Sequence, residues 1–399
     1  MKGKKKEKKG PGKGTLSVWG GEQEYAPYER STQVPVVHSV SFGYDDIDTW
    51  HQVALGKQPG HIYSRNTNPT VRAFEEKIRD LEGAEAATSF ASGMAAISGT
   101  FFALLRPGDR VVSIKDSYGG TNRMFTEFLP AFGIDVQLCV TGDFEAIGAE
   151  VRRGCKMLYL ETPTNPMVSI VDIARLAKVA HQAGAVVVVD NTFATPINQN
   201  PLALGADLVI HSATKYLGGH ADALGGAACG SAALVKKLYH FREINGATLA
   251  PMDAYMLLRG MKTLALRIER QNASALTIAR WLAQHPAVEQ VNYPGLPTHR
   301  HHAVARKQMR GFGGMLSFAV RGDLPAIKKV LPKLRYAHRA ANLGAVETIV
   351  GPPLTTSHVE CTPAQRAAAG IPEGLVRYST GIEDVADLIA DLEQALKGM

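Results

Sequence analysis

The sequence predicts an α/β fold: a mostly parallel central sheet with helices on both faces, followed by a smaller C-terminal α/β unit. Two observations point there. From about residue 71 to residue 215, short β-branched runs alternate with helix-period segments of about a dozen residues, the pattern of crossovers between parallel strands. The chain is also 399 residues long, with 45% hydrophobic and 20% charged residues. That is enough for one large domain and a smaller one, and too apolar for wholesale disorder.

Residues 1–14, MKGKKKEKKGPGKG, hold seven lysines and one glutamate, a net +6. The whole chain carries +7, so the other 385 residues carry only +1. The basic balance belongs to this Lys-rich tail, which is expected to be disordered and solvated. A polyanion-binding tail is the reading from another functional class. No aromatic residues interleave the lysines and no DNA-binding pattern follows, so neither a nucleic-acid nor a membrane partner is expected.

Residues 15–70 read as a loop-rich arm with isolated aromatics, of the kind that packs on another subunit. The large domain is expected over 71–260. VRAFEEKIRDLEG has apolar residues at helical spacing and a stop at Gly83; ASGMAAISGTFFALL is a second helix, closed by Arg106-Pro107-Gly108-Asp109. VVSI reads as a strand, MFTEFLPAFG as a helix, and VQLCV and CKMLYLE as further strands. DIARLAKVAHQAG is a helix, AVVVVD a buried strand ending in Asp190, and ADLVIHSATK a strand running into a polar turn. Helical segments dominate 251–290, and MLSFAV and LVRYST are the clearest strands of the C-terminal domain, 261–399.

The four cysteines, Cys139, Cys155, Cys229 and Cys361, show no CxxC spacing, and are too sparse for a disulfide scaffold. There is neither a signal-peptide pattern nor an apolar run approaching the roughly 20 residues that span a bilayer. A soluble cytoplasmic protein is the expectation.

In such sheets ligands gather at the carboxyl ends of the strands. Asp190 closes one; a carboxylate there is either functional or a cap on the next turn. Beyond the next strand comes Ser212-Ala213-Thr214-Lys215-Tyr216-Leu217-Gly218-Gly219-His220. Hydroxyls and glycine amides can cradle a phosphate, and a partly desolvated lysine can condense with an aldehyde. A carboxylate upstream and an amine downstream are what pyridoxal phosphate needs, one for its ring nitrogen and one for its aldehyde. Ala91-Ser92-Gly93-Met94, at a predicted helix start, is a second phosphate candidate, although by itself it reads as an ordinary serine cap. GxGxxG with a downstream acid, HExxH, GxSxG and GxxxxGK[ST] are all missing, and no metal site is expected.

At these residues the chain resembles the cysteine/methionine-metabolism group of pyridoxal-phosphate enzymes: cystathionine γ-synthases, cystathionine γ-lyases, methionine γ-lyases and homoserine-ester sulfhydrylases. The resemblance runs from about residue 15 to the C-terminus. It rests on YSRNTNPT (63–70), ASGMAA (91–96), SYGGT (117–121), ETPTNP (161–166), DNTFATP (190–196), HSATKYLGGHAD (211–222), NLGAVET (342–348) and LVRYSTGIED (375–384). It implies a fold-type I, aspartate-aminotransferase-like architecture with pyridoxal 5'-phosphate as cofactor. By resemblance, Lys215 would hold the cofactor and shuttle protons, and Asp190 would pair with its ring nitrogen. Tyr118 would stack on the ring and serve as acid or base. Gly93, Met94, Ser212 and Thr214 would hold the phosphate, joined by Tyr63 and Arg65 of a neighbouring subunit. Asn165 would approach the phenolic oxygen, Arg377 would clamp the substrate α-carboxylate, and Asn342 would sit beside it. The implied assembly is a homotetramer built as a dimer of dimers, acting on a small amino-acid substrate.

Two departures bear on the reaction. Where many members have serine preceded by glutamate, this chain has Asn342 preceded by Ala341, which is reminiscent of homoserine-ester sulfhydrylases and argues against cystathionine as a substrate. Methionine γ-lyases typically carry cysteine after the stacking tyrosine, whereas here Tyr118 is followed by Gly119-Gly120-Thr121. The expected reaction is γ-replacement on an activated homoserine, with γ-elimination as the alternative.

Overall fold

The computed structural model describes residues 10–22, 30–359, 362–368 and 370–399. Residues 1–9 of the Lys-rich tail, and Cys361, lie outside them. Seven strands form the large sheet: β1 (Ala86–Phe90), β2 (Arg110–Ile114), β3 (Asp135–Cys139), β4 (Met157–Glu161), β5 (Val186–Asp190), β6 (Leu208–Ser212) and β7 (Gly226–Gly230). Their order is β1-β7-β6-β5-β4-β2-β3, with β7 antiparallel to both its neighbours and the other pairs parallel.

Both faces of this sheet are buried. Met157 and Tyr159 of β4 join Phe90, Phe101, Phe125 and Ile210 in one core, while Leu158 and Leu160 join Ile147, Leu176, Val187 and Val189 in the other. The helix Gly93–Leu104 lies over the first core, where the Phe101 ring is 5.4 Å from those of Phe125 and Tyr159. The helix Ile173–Gln182 covers the second, with its start capped by Asp172 accepting from Arg175 N. The helix Pro69–Glu82 begins where the Asn68 side chain accepts from Thr70 N, with proline in its first turn. It ends at Gly83 in the left-handed conformation, as the sequence anticipates.

The second sheet contains β8 (Val288–Asn292), β9 (Met315–Val320), β10 (His338–Arg339), β11 (Ile349–Gly351) and β12 (Leu375–Ser379), in the order β10-β11-β12-β9-β8. One helix, Leu264–Leu282, serves both units: Leu264 and Ile268 pack in a core beside the large sheet, and Ile278 and Leu282 in that of the small one.

Four elements depart from the sequence reading. Lys13 and Gly14, grouped above with the tail, open a helix, Lys13–Trp19, which Lys13 anchors by donating to Leu81 O. The arm read as loop also holds the helix Ile47–Ala54, started by Asp46 accepting from Thr49 N. Strands β1 and β7 were not anticipated. Among the described residues no helix is long and apolar enough to cross a membrane, and no group of three metal-ligating side chains occurs.

Candidate active site

Adjacent strands β6, β5 and β4 end in Ser212, Asp190 and Glu161 at one edge of the large sheet. These side chains open into a cavity of about 230 Å³. Gly93, Met94, Tyr118, Asn165, Thr214, Lys215 and Arg377 also line it, so the fold brings most of the expected residues together. Asn342 reaches the cavity through its contact with Lys215, and its neighbours Ala341 and Leu343 line it.

At one end stands the start of the helix Gly93–Leu104. Ser92 Oγ caps Ala95 N at 3.1 Å. The Gly93 and Met94 amides belong to the first turn, whose N–H groups have no acceptor within a helix. A Cβ at Gly93 would lie 2.6 Å from Ser212 Cβ, so only glycine leaves this cradle open. Thr214 Oγ1 donates to Gly225 O (3.3 Å) and accepts from Gly225 N (3.1 Å), which fixes the turn that carries Lys215.

Lys215 Nζ donates to Asn342 Oδ1 at 2.7 Å. Burial, and then the positive charge of Arg377, push this amine down to about 8. Arg377, on β12 and 5% exposed, donates to Asn342 O at 3.0 Å and to Asn165 Oδ1 at 3.4 Å. Burial lowers its guanidinium to about 10, so it is still a cation at neutral pH. The small unit thus delivers both Asn342 and Arg377 to a cavity built on the large one.

Two carboxyls share the other side. Asp190 Oδ1 accepts from Thr192 N at 2.9 Å, and the buried Tyr159 hydroxyl lies 3.5 Å from Oδ2. Burial raises the Asp190 carboxyl. Glu161 stands opposite Asp190 in the β4–β5 register, and burial and then the Asp190 charge raise it well above the usual carboxylate range. Its two oxygens accept from Tyr118 N (2.8 Å) and Asn165 N (3.1 Å), so one side chain clips both segments in place. Sequence reasoning missed Glu161, although it closes CKMLYLE just as Asp190 closes AVVVVD. It also missed a layer behind the strand ends, where the buried His211 Nε2 lies 2.6 Å from Glu82 Oε1.

Tyr63 and Arg65 do not line this cavity within one chain. They lie in the arm, with the Arg65 guanidinium 5.1 Å from the centroid of the Tyr63 ring and that ring 40% exposed.

Helix-start amides and hydroxyls, a buried amine and a buried carboxyl pair, all lining one cavity, are the donor set for a phosphorylated aldehyde with a basic ring nitrogen. The comparisons agree. The family model for Cys/Met metabolism PLP-dependent enzymes matches residues 14–397. An L-methionine γ-lyase of Pseudomonas putida is 42% identical over 391 residues, 97% of this chain and 98% of that one. An O-succinylhomoserine sulfhydrylase of Pseudomonas aeruginosa is 43% identical over 344 residues, 86% and 85% of the two chains. The crystal structure of a cystathionine γ-synthase from Xanthomonas oryzae pv. oryzae in complex with cystathionine has a TM-score of 0.92 at 36% identity, covering 97% of this chain and 98% of that one. The architecture is fold-type I, and the chain belongs to the family of Cys/Met metabolism PLP-dependent enzymes, acting with pyridoxal phosphate in sulfur amino-acid metabolism.

Proposed function

We propose that the protein catalyses γ-replacement on an activated homoserine, joining the γ-carbon to sulfide or a small uncharged thiol and releasing the acyl group as a carboxylate. The observation that carries this reading is the lining of the cavity. Its acids, Glu161 and Asp190, both sit at strand ends, while the wall contributed by the small unit presents Ala341, Leu343 and Thr356. A substrate with a distal ammonium would find no counter-charge on that wall, and leaving the charge desolvated is costly.

When bound, pyridoxal phosphate supplies an electron sink that makes the substrate α-proton removable. Gly93, Met94, Ser212 and Thr214 would hold its phosphate, Asp190 would pair with its ring nitrogen, Asn165 would approach its phenolic oxygen and Tyr118 would stack on its ring. Arg377 clamps the substrate α-carboxylate through its planar fork, and Asn342 stands beside it. Lys215 Nζ, with its proton affinity lowered to about 8, would be the base that takes the α-proton; having passed that proton on to the bound cofactor and become neutral again, it would take a β-proton. The γ-acyloxy group then departs and the sulfur nucleophile adds. Tyr118, which lines the cavity, would serve as acid or base. Among the described residues of the cavity wall, the cations are Lys215 and Arg377, the one assigned to the aldehyde and the other to the substrate carboxylate, which leaves the phosphate without a cation of its own. We assign that missing charge to Arg65 of a second copy, with Tyr63, in a dimer that pairs into a tetramer. The same reading places the enzyme in the cytoplasm, where Cys139, Cys155 and Cys229 remain free thiols.

The similarity to methionine γ-lyases favours a second reading, γ-elimination to a 2-oxo acid, ammonia and a thiol. Holoenzyme assayed with acylhomoserine and sulfide, with cystathionine and with methionine separates them. The first pair is expected to give the highest kcat/KM. Ala341→Glu should shift preference toward cystathionine by about 1–3 kcal/mol, the range for a hydrogen bond to a charged group. If the wild type cleaves cystathionine best and the glutamate adds nothing, the wall argument fails.

A further inference from the structure

The helix Leu264–Leu282, which packs in both units, carries two buried polar side chains that the reaction above leaves without a role. Arg267 is 3% exposed and Gln271 is fully buried. They stand four residues apart, so they lie one above the other on the same helix face. Arg267 Nη1 donates to Tyr216 O at 2.8 Å, and Nη2 donates to Leu217 O at 3.3 Å and to Gly260 O at 2.9 Å. Its Nε donates to Thr263 Oγ1 at 3.1 Å. Tyr216 and Leu217 are the two residues after Lys215. One turn further along the helix, Gln271 Nε2 donates to Ala345 O at 2.9 Å, three residues after Asn342.

The two segments held in this way also bind each other. Val346 N donates to Gly219 O at 2.9 Å, and Lys215 Nζ to Asn342 Oδ1 at 2.7 Å. Room for the guanidinium comes from Gly219, where a Cβ would lie 2.1 Å from Arg267 Nη1. Burial lowers Arg267 to about 10, so at neutral pH it is a buried cation, and its partners are three carbonyls and a hydroxyl. A buried cation without an anion costs stability. What the guanidinium provides is a fixed planar fork that reaches carbonyls of two elements at once, which a lysine ammonium cannot do. We propose that Arg267 and Gln271 are positioning residues: from one helix face they set the segment carrying Lys215 against the segment carrying Asn342, and so fix where the Lys215 amine stands in the catalytic cavity. The proposal rests on the roles given above to Lys215 and Asn342.

The test separates placing the amine from holding the rest of the cofactor. When pyridoxal phosphate is added to cofactor-free protein, its aldehyde condenses with the lysine amine, water leaves and a visible band grows; the rate at saturating cofactor reads the placement of the amine. Pyridoxine 5'-phosphate has an alcohol in place of the aldehyde and cannot condense, so its dissociation constant reads the remainder of the site. Gln271→Met, which keeps length and burial, and Arg267→Lys, which keeps the charge and loses the fork, should each slow the band by about tenfold or more. Affinity for pyridoxine phosphate should stay within about twofold, the margin for groups that do not touch. In an Asn342→Ala chain, Gln271→Met should add no further slowing, because its effect passes through Asn342. Lys215→Ala should form no borohydride-reducible link; a chain that still forms one would overturn the assignment of Lys215 itself. With Lys215 required, a wild-type rate in Gln271→Met would overturn the clamp. So would a loss of pyridoxine phosphate affinity as large as the slowing, or a Gln271→Met effect undiminished by Asn342→Ala. Gln271→Met decides these outcomes even where Arg267→Lys does not fold.

Discussion

Burying an amine without a counter-ion destabilises a fold, and at Lys215 that cost carries a pH signature. The amine binds its proton with a pKa of about 8 in the folded chain, against an ordinary 10.5. Below pH 8 both folded and unfolded chains hold the proton, and the folded state bears the full penalty. Between 8 and 10.5 the unfolded chain keeps a proton that the folded one has released, so stability rises by about 1.4 kcal/mol per pH unit. Above 10.5 both have lost it. The total comes to about 3 kcal/mol, with about 2 of it recovered by pH 9.5. Lys215→Met removes the titrating group. It also removes the bond to Asn342 Oδ1, a loss of about 1 kcal/mol that does not vary with this titration. In urea unfolding of the cofactor-free protein, the variant should be more stable than wild type at pH 7 by about 2 kcal/mol. That advantage should have vanished by pH 9.5. Taking the difference between the two proteins cancels every other group that titrates alike in both. A difference that stayed flat from pH 7 to 9.5 would refute the reasoning, because Lys215 would then hold its proton as an exposed lysine does.

The remaining predictions address the cradle, the arm and the subunit contact. Gly93→Ala places a Cβ 2.6 Å from Ser212 Cβ, and overpacking of about 1–3 kcal/mol should weaken pyridoxal phosphate binding about 10–100-fold, read by titration of the visible band. Glu22→Ala leaves the fully buried Lys77 without its anion, although Ser17 O and Val18 O still accept from it; it should cost about 3–5 kcal/mol in urea unfolding, and adding Lys77→Met should recover part of the loss. Mixing inactive Arg65→Ala chains with inactive Lys215→Ala chains should restore turnover, since one site of each mixed dimer has both wild-type residues. Activity that stayed absent after verified subunit exchange would place Arg65 in its own chain's site.

What was legible in the sequence follows from how far each signal reaches along the chain. β5 and the turn after β6 were plain because AVVVVD and LVIHSATK carry β-branched runs straight into polar groups, so Asp190 and Lys215 announced themselves locally. β7 could not be read that way. Its sequence, GAACG, has no strand propensity, and it pairs as a strand because β1 and β6 lie on either side of it. Its small residues answer to packing instead: a Cβ on Gly226 would sit 2.1 Å from Ser92 O, and one on Gly230 would sit 2.4 Å from Asp207 O. The helix Lys13–Trp19 was hidden for a related reason. It follows a lysine run and has no side-chain cap; what holds it is tertiary, through Leu81 O and the buried Lys77.

Glu161 is the most instructive miss, because its letter was in view within ETPTNP. A glutamate after four apolar residues reads as a strand-end cap. Its importance comes from three partners at different distances along the chain: Tyr118 lies 43 residues away, Asp190 stands across the β4–β5 pairing, and Asn165 lies four residues on. No window of sequence contains all three. The fold supplies them at once, because parallel strands joined by crossovers set their carboxyl ends side by side, whatever length of chain runs between them. The residues that hold a site's segments together are therefore the least visible in sequence.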